Sequence, residues 1–259
     1  MTEQTAQTAL TVQNAQNILA QAGINTSGLT EAEVQELALV VGQNFEESSS
    51  GIDFRPQRYK INKDAQVFVD PFGQSFDELK AVVLFKQKTR GLWTEGDKIP
   101  LCSSFDGVTG TDRDGNQHRC AQCSSNTFGS GKEGRGKECK EMRRMFLLTP
   151  DNALPIQISF PPTSISVIDN FFSARLTNRI SDIAKKVKFT LAPTSKNGFN
   201  FALAVLKNGE DVPAKDILEI NKLRQRFVDS WRHIAIDEED YGAEDTGSGE
   251  AVAGDDQPY

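Results

Sequence analysis

Four cysteines confined to one segment are the residues of this sequence best suited to binding a metal. They are Cys102, Cys120, Cys123 and Cys139, and their spacing is C-x17-C-x2-C-x15-C within a chain of 259 residues. A C-x2-C pair lets two thiolates approach one ion from a tight turn. The residues between them are mostly Gly, Asp, Asn and Ser, so this segment cannot build a hydrophobic core. A closed four-thiolate site for structural Zn²⁺ would supply the missing folding free energy, and it argues against a catalytic metal.

Three other interpretations of the cysteines stay open, and one of them, four unrelated thiols, is hard to reconcile with four cysteines confined to 38 residues. Two disulfides would also staple the segment, but we expect a reducing compartment because the sequence shows no signal-peptide pattern. His118, two residues before Cys120, is an alternative fourth ligand in place of one thiolate. Zinc held by the four thiolates is the interpretation that the spacing favours.

Basic and aromatic residues on the predicted strands and one loop favour binding to a nucleic acid strand. Residues 131–138 nearly match a phosphate-binding P-loop, but Glu138 replaces the required Ser or Thr and no apolar strand precedes the stretch. A basic loop lying against a phosphate chain is the better interpretation, with a plain solvated loop as the alternative. Alternation of Lys186 and Lys188 with apolar neighbours indicates a strand with its lysines outward. The expected DNA contacts are Phe85, Lys86, Lys88, Arg90, Trp93, Lys132, Arg135, Lys137, Arg143, Arg144, Phe146, Lys186, Lys188 and Phe199.

The elements that must position these residues are mainly strands, with helices at both ends. An N-terminal helical arm with a linker near 46–52 is expected over residues 1–52, and its second helix begins at the capping box Thr30–Glu33. Hydrophobic patterning then predicts strands at 77–93, 142–149, 154–160, 185–191 and 199–207, and helices from 163 or 164 to about 180 and from 213 to about 231. With residues 94–141 set aside as the zinc insertion, this order resembles that of a five-stranded OB-type barrel over residues 53–236. The predicted fold class is therefore α+β, mainly β.

The charge of the chain is distributed unevenly. The formal net charge is −7, but residues 237–259 hold nine of the 36 acids and no Lys or Arg, which leaves 27 acids against 29 bases in the rest. Residues 55–146 alone carry 17 bases and 12 acids. Residues 237–259 are also poor in large apolar side chains, which predicts a disordered acidic tail. A basic centre between acidic ends is compatible with a polyanionic partner.

The end of the chain carries a resemblance. The sequence closes on Gly254, Asp255, Asp256, Gln257, Pro258 and Tyr259, and this end looks like the tip of bacterial and phage single-stranded DNA-binding proteins. The resemblance implies that Asp255, Asp256, Pro258 and Tyr259 dock on replication and recombination proteins, and that the tail competes with DNA for the basic groove. Tyr259 stands where a terminal Phe is usual, and a plain solubility tail is the alternative.

These observations predict a sequence-tolerant single-stranded DNA-binding protein of phage or mobile-element type, acting in replication or recombination. A zinc-containing adaptor that binds protein rather than DNA is the alternative. An enzyme is not expected, because neither His118 nor His233 lies in a catalytic motif and Asp106, Asp112 and Asp114 lie in a turn-rich connecting loop. We expect a cytoplasmic location in a bacterium or a phage-infected cell, with no membrane association. Oligomeric state and the choice between DNA and RNA stay open.

Overall fold

The computed structural model describes residues 11–50, 55–152, 154–196, 199–236 and 240. The chain divides into two compact units, Met1–Arg55 and Pro56–Tyr259. No helix of the described residues is both long and apolar enough to cross a membrane.

The described residues of the first unit form two helices, α1 (Val12–Gln21) and α2 (Glu31–Ser50). Their contact buries Ala15 and Leu19 against Val34 and Ala38. The predicted capping box is confirmed, since the Thr30 backbone N–H donates to Glu33 Oε2 at 2.7 Å. The predicted linker near 46–52 is wrong over its first part, because α2 continues to Ser50.

In its described residues, the second unit is an α+β structure, mostly sheet, with two α-helices and four short 3-10 helices. Its strands are β1 (Gln57–Asn62), β2 (Val67–Val69), β3 (Ser75–Phe76), β4 (Glu78–Leu92), β5 (Cys102–Ser104), β6 (Thr109–Asp112), β7 (Gln117–Arg119), β8 (Lys140–Leu148), β9 (Ile156–Phe160), β10 (Lys185–Lys196) and β11 (Phe199–Asp211), and its helices are α3 (Ile165–Thr177) and α4 (Ala214–Arg232). The predicted strands and helices between residues 77 and 232 are all present. Strands β1 to β3 and the short strands β5 to β7 of the insertion were not predicted.

The strands pair in the order β3-β2-β1-β9-β8-β4-β5-β6-β7, with β10 joined to β4 and β11 joined to β10. All pairs are antiparallel except β1 with β9. The predicted OB-like closed barrel is not found among the described residues, because β11 pairs there only with β10 and β3 only with β2. The sheet therefore stays open in the described part of the chain.

One face of the sheet carries the main hydrophobic core. Met145 of β8 and Ile158 and Phe160 of β9 are fully buried there, and Ile168 of α3 packs into the same cluster. Phe189 of β10 stacks on Phe160 with ring centroids 5.8 Å apart. The helix α3 thus covers the face that holds the core.

The opposite face is covered by α4 and the residues that follow it. Trp231 is 1% exposed, and its ring stacks on Phe146 of β8 with centroids 5.2 Å apart. Gln87 Nε2 of β4 donates to the backbone carbonyl of Arg232 at 2.9 Å. Both faces of β4 and β8 are therefore covered where these strands pair.

A buried ion pair holds the chain after α4 against this face. Arg144 is 0% exposed; its guanidinium donates to the carbonyl of Ile234 at 2.8 Å and to Asp240 Oδ2 at 2.8 Å. Asp240 Oδ1 accepts a hydrogen bond of 2.7 Å from Gln157 Nε2. The expectation that the acidic tail begins at residue 237 is wrong for Asp240, because this carboxylate is buried against an arginine. The rest of the predicted tail lies outside the described residues.

We expect the substitution Asp240→Asn to lower the free energy of unfolding by about 3 kcal/mol, because it leaves the buried guanidinium of Arg144 without its counter-charge. Urea unfolding followed by circular dichroism measures this. The control is Asp229→Asn, an equal loss of charge at an exposed position of α4, which should change the free energy by less than about 0.5 kcal/mol. Equal stability of the two variants would contradict the role given to Asp240.

Candidate nucleic-acid interface and cysteine cavity

The four cysteines line one cavity of about 280 Å³ in the insertion. Cys102 lies on β5, and the other three lie in the connections that follow β7 and precede β8. The Cys123 backbone N–H donates to the carbonyl of Cys120 at 3.3 Å, which makes the tight turn expected of C-x2-C. The Cys139 N–H donates to the carbonyl of Ser125 at 2.8 Å, and this bond joins the end of the insertion to the turn.

Glycine at position 110 of β6 leaves room for two of the sulfur atoms. A Cβ atom placed there would lie 2.8 Å from Cys102 Sγ and 3.6 Å from Cys120 Sγ. Both thiols therefore lie over the same glycine, although they are 18 positions apart in the sequence. A larger residue at position 110 would push Cys102 away from the others.

The thiols also influence one another electrostatically. Burial raises the pKa of the Cys139 thiol to about 12; Arg90 acts against the rise, while Cys120, Cys123 and Cys102 add to it. Burial raises the pKa of Cys102, with further contributions from Cys120, Cys123 and Asp112. Thiolates crowded in this way are stabilised when a cation lies between them.

The cavity holds the donor set of a structural zinc site without its coordination geometry. All four cysteines are free thiols. Within the described ranges, no three His, Cys, Asp or Glu side chains are grouped closely enough to hold a metal ion. The donors are nevertheless those that Zn²⁺ prefers, and they face a common space.

His118 also lines the cavity, but its Nε2 forms a hydrogen bond of 2.8 Å with Asp112 Oδ2. That bond and one from Asn116 lower the pKa of Asp112 to about 2.

Three of the expected DNA contacts, Arg143, Arg144 and Phe146, lie in the interior. Phe146 is fully buried between Phe85 and Trp231, so no base can stack on it. Arg143 is 7% exposed and donates to both carboxylate oxygens of Asp169 on α3, at 2.7 and 2.6 Å. Arg144 is engaged by Asp240. The expectation that these residues contact DNA is wrong, because α3 covers one face of β8 and α4 covers the other.

Arg90 of β4 supports the insertion. Its Nε donates to the carbonyl of Gly107 at 3.1 Å, and its other nitrogens bind Asn126 and Glu141. Its side chain is mostly covered, so its role here is to connect the sheet to the cysteine segment. The exposed side chain of Lys88, two residues earlier, lies against Gly107.

Most of the remaining cations of the predicted interface have acidic neighbours. Lys86 pairs with Asp182, Lys186 with Glu210 and Lys188 with Glu78. In the predicted basic loop, Lys132 pairs with Glu95 at 2.9 Å, Arg135 lies 3.6 Å from Glu133, and Lys137 Nζ lies 3.4 Å from Asn126 Oδ1. The side chain of Phe199 and the tail residues Asp255, Asp256, Pro258 and Tyr259 lie outside the described residues.

A row of lysines crosses three neighbouring strands on the face opposite the main core. The register places Lys80 of β4 opposite Lys188 of β10, and Lys188 opposite Lys207 of β11. Residues directly opposite in an antiparallel pair project from the same face, and like charges there repel. Glu78 pairs with both Lys80 and Lys188, whereas Lys207 is exposed. The alternation of lysines with apolar residues in the sequence predicted that Lys186 and Lys188 point outward. That Lys80 and Lys207 lie beside Lys188 is known only from the strand register.

The helix α4 contributes cations that the sequence prediction did not include. Arg232 lies with its guanidinium carbon 5.5 Å from the ring centroid of Phe85. Arg224 donates from Nε to the carbonyl of Leu84 on β4 at 2.8 Å. The amphipathic pattern of α4 predicted a helix, but it gave no sign that two of its arginines lie beside β4.

The six-membered ring of the Trp93 indole packs against Gly91, so we expect Gly91→Ala to displace it. A Cβ at position 91 would lie 1.9 Å from Cη2 of Trp93. Moving the indole to make room for it should lower the free energy of unfolding by about 1–3 kcal/mol. Acrylamide quenching of tryptophan fluorescence should increase, because the displaced Trp93 becomes more accessible. The other tryptophan, Trp231, is buried and contributes little to the quenching. Gly42→Ala, where a Cβ meets nothing within 4 Å, serves as the control. Unchanged quenching in the Gly91 variant would contradict the packing.

Comparison of this chain with protein-family models, with curated proteins and with solved structures gives no match. The assignment of function therefore depends on the geometry of the lysine row, the cysteine cavity and the surroundings of β4.

Proposed function

We propose that this protein binds single-stranded DNA without sequence preference and acts in replication or recombination. The observation that carries the proposal is the row Lys80, Lys188 and Lys207 across β4, β10 and β11. Like charges directly opposite one another repel, and Glu78 offsets this repulsion only at Lys80 and Lys188, while no acid of the described residues pairs with the exposed Lys207. A phosphate chain provides a row of anions, and most of the affinity of such proteins comes from contacts of this kind.

The order of the strands β4, β8, β9, β10 and β11, with α3 before β10, supports an OB-like relationship for the second unit. Proteins of that architecture present a sheet surface and neighbouring loops to nucleic acid. In this proposal the lysine row is the outer surface of the β4–β10–β11 part of the sheet. The insertion with its cysteines lies at the other end of β4, where β5 pairs with Leu92.

A zinc ion bound by Cys102, Cys120, Cys123 and Cys139 is the second part of the proposal. The insertion contains only short strands and turns, so its order depends on few apolar contacts. An ion bound by four thiolates would hold β5, the C-x2-C turn and the start of β8 together. Its role is structural, and no step of DNA binding passes through it.

The lysine row can be tested by titrating labelled oligo-dT at several salt concentrations. The triple variant Lys80→Gln, Lys188→Gln and Lys207→Gln should bind at least about tenfold more weakly, and the salt slope should fall by about 2, because each phosphate contact on a single strand contributes about 0.7. Lys207→Gln alone should weaken binding more than the control Lys215→Gln, an equally exposed lysine on α4. A wild-type protein that fails to bind oligo-dT, or binds duplex equally well, would contradict the proposed function.

Metal analysis tests the zinc site. Protein purified without chelator should carry about one zinc ion per chain, and Co²⁺ exchange should give the absorption of a tetrahedral thiolate complex. Cys123→Ser should lose the metal and make the insertion sensitive to protease. His118→Ala should keep the metal, because that side chain binds Asp112. Full metal content in the Cys123 variant would rule out the four-thiolate site.

A deletion that tests the tail must begin after Asp240, because this residue is bound by the buried Arg144. We expect deletion of residues 241–259 to strengthen oligo-dT binding several-fold at low salt, because the deleted part carries five acids and no base. The control keeps the length and replaces Glu244, Asp245, Glu250, Asp255 and Asp256 by their amides, and it should show the same gain. A deletion from residue 237 should instead lose stability with Asp240. Unchanged affinity in both tail variants would contradict competition between tail and DNA.

A further inference from the structure

One edge of β4 is left without a partner strand in the middle of its length. On the edge opposite β8, β10 pairs with residues 78–81 and β5 with residues 90–92. The strands β10 and β8 must lie on opposite edges of β4. On a shared edge, residues 185 and 186 of β10 would occupy the positions of the β8 residues that pair with Val82 and Val83. From residue 82 to residue 89, no described strand pairs with this edge of β4. We call this stretch the β4 gap.

A β-bulge at the start of the gap creates a fixed position for an arginine. The register of β4 on β8 shifts between Val83 and Phe85, which makes Leu84 the extra residue. The carbonyl of Leu84 accepts a hydrogen bond of 2.8 Å from Arg224 Nε. The terminal Nη atoms of Arg224 have no hydrogen-bond or ion-pair partner among the described residues. Its guanidinium is thus anchored at one nitrogen while two others stay available for a bidentate acceptor.

Arg224 lines a cavity of about 330 Å³ in the gap, together with Lys86 and Asp182. Asp182 pairs with Lys86, and its other oxygen lies 3.4 Å from Arg175 Nε. Two cations, Lys86 and Arg224, line the cavity with this one carboxylate, which the buried Arg175 also contacts from behind the cavity wall. This excess of positive charge favours an anion in the cavity.

An aromatic ring lies next to the cation-rich cavity. Phe85 lines the cavity and is partly exposed; Phe146 stacks on its ring, and the guanidinium carbon of Arg232 lies over the ring, 5.5 Å from its centroid. A base that stacks on Phe85 therefore displaces Arg232, whose charge then stays beside the phosphate. The ring and the cations Lys86 and Arg224 line the same cavity.

We infer that the β4 gap is a phosphate subsite, in which the Nη atoms of Arg224 bind a phosphate group and Lys86 neutralises its remaining charge. This inference rests on the proposed function for the source of the phosphate, which is then the backbone of a single strand with a base against Phe85. Asp182 keeps Lys86 in place when no strand is bound and opposes the anion when one is. The lysine row and this subsite are separate parts of one binding surface.

The test compares Arg224→Gln with Arg226→Gln, which removes the same charge from an exposed position two residues further along α4. For oligo-dT, the Arg224 variant should bind about tenfold more weakly, with a salt slope lower by about 0.7, and the Arg226 variant should bind like the wild type. Inorganic pyrophosphate should raise the Tm of the wild type and the Arg226 variant but leave that of Arg224→Gln unchanged. The variant Asp182→Asn provides a second measurement that does not depend on removing an arginine. It should bind both oligo-dT and pyrophosphate more tightly than the wild type.

The outcomes separate this inference from the proposed function. A wild type that binds oligo-dT while the Arg224 and Arg226 variants behave alike in both assays overturns the subsite and leaves the proposed function intact. A wild type that ignores oligo-dT but is stabilised by pyrophosphate through Arg224 supports the subsite for a free phosphate compound and contradicts the proposed function. Weaker or unchanged binding by Asp182→Asn would overturn the charge balance assigned to the gap.

Discussion

The buried guanidinium of Arg144 is the constraint on which the second unit depends. A charge on a fully covered side chain must be paired, and its partners lie some 90 residues away at Ile234, Ala235 and Asp240. Forming the hydrogen bonds and the ion pair with these residues brings the chain after α4 back across β8. That return keeps Trp231 on Phe146 and so holds α4 along β4. The positions of Arg224 and Arg232 beside the β4 gap are a consequence of this pairing.

The insertion obeys a different constraint, because it has few apolar side chains to bury. Its internal order comes from polar contacts: Asp106 accepts from Ser104 and from the backbone of Val108 and Thr109, and Arg90 connects the segment to the sheet. Such contacts each contribute little net free energy in water. The thiols that gather over Gly110 are the part of the segment able to contribute more, since a bound ion would join three connections at once.

Local patterns in the sequence predicted elements well and contacts poorly. The apolar runs of β4, β8 and β10 and the capping box of α2 depend on neighbours within a few residues, and these predictions are confirmed. Arg143 and Arg144 looked like exposed cations because a strand covered on both faces cannot be recognised from its own residues. Their partners, Asp169 and Asp240, are 26 and 96 residues away, and Asp240 lies in a stretch whose composition predicts disorder. The lysine row likewise required the register of three strands.

Acidic neighbours on the proposed binding surface do not argue against a polyanionic ligand. Exposed pairs such as Lys188 with Glu78 contribute at most about 1 kcal/mol, whereas a phosphate contact also gains from the release of counterions. On the row, the single carboxylate of Glu78 pairs with two lysines, so a phosphate chain that reaches Lys80, Lys188 and Lys207 together replaces only the contacts of this one acid. Under the proposed function, a polyanion that spans the row therefore gains more than an isolated anion, which meets one lysine at a time.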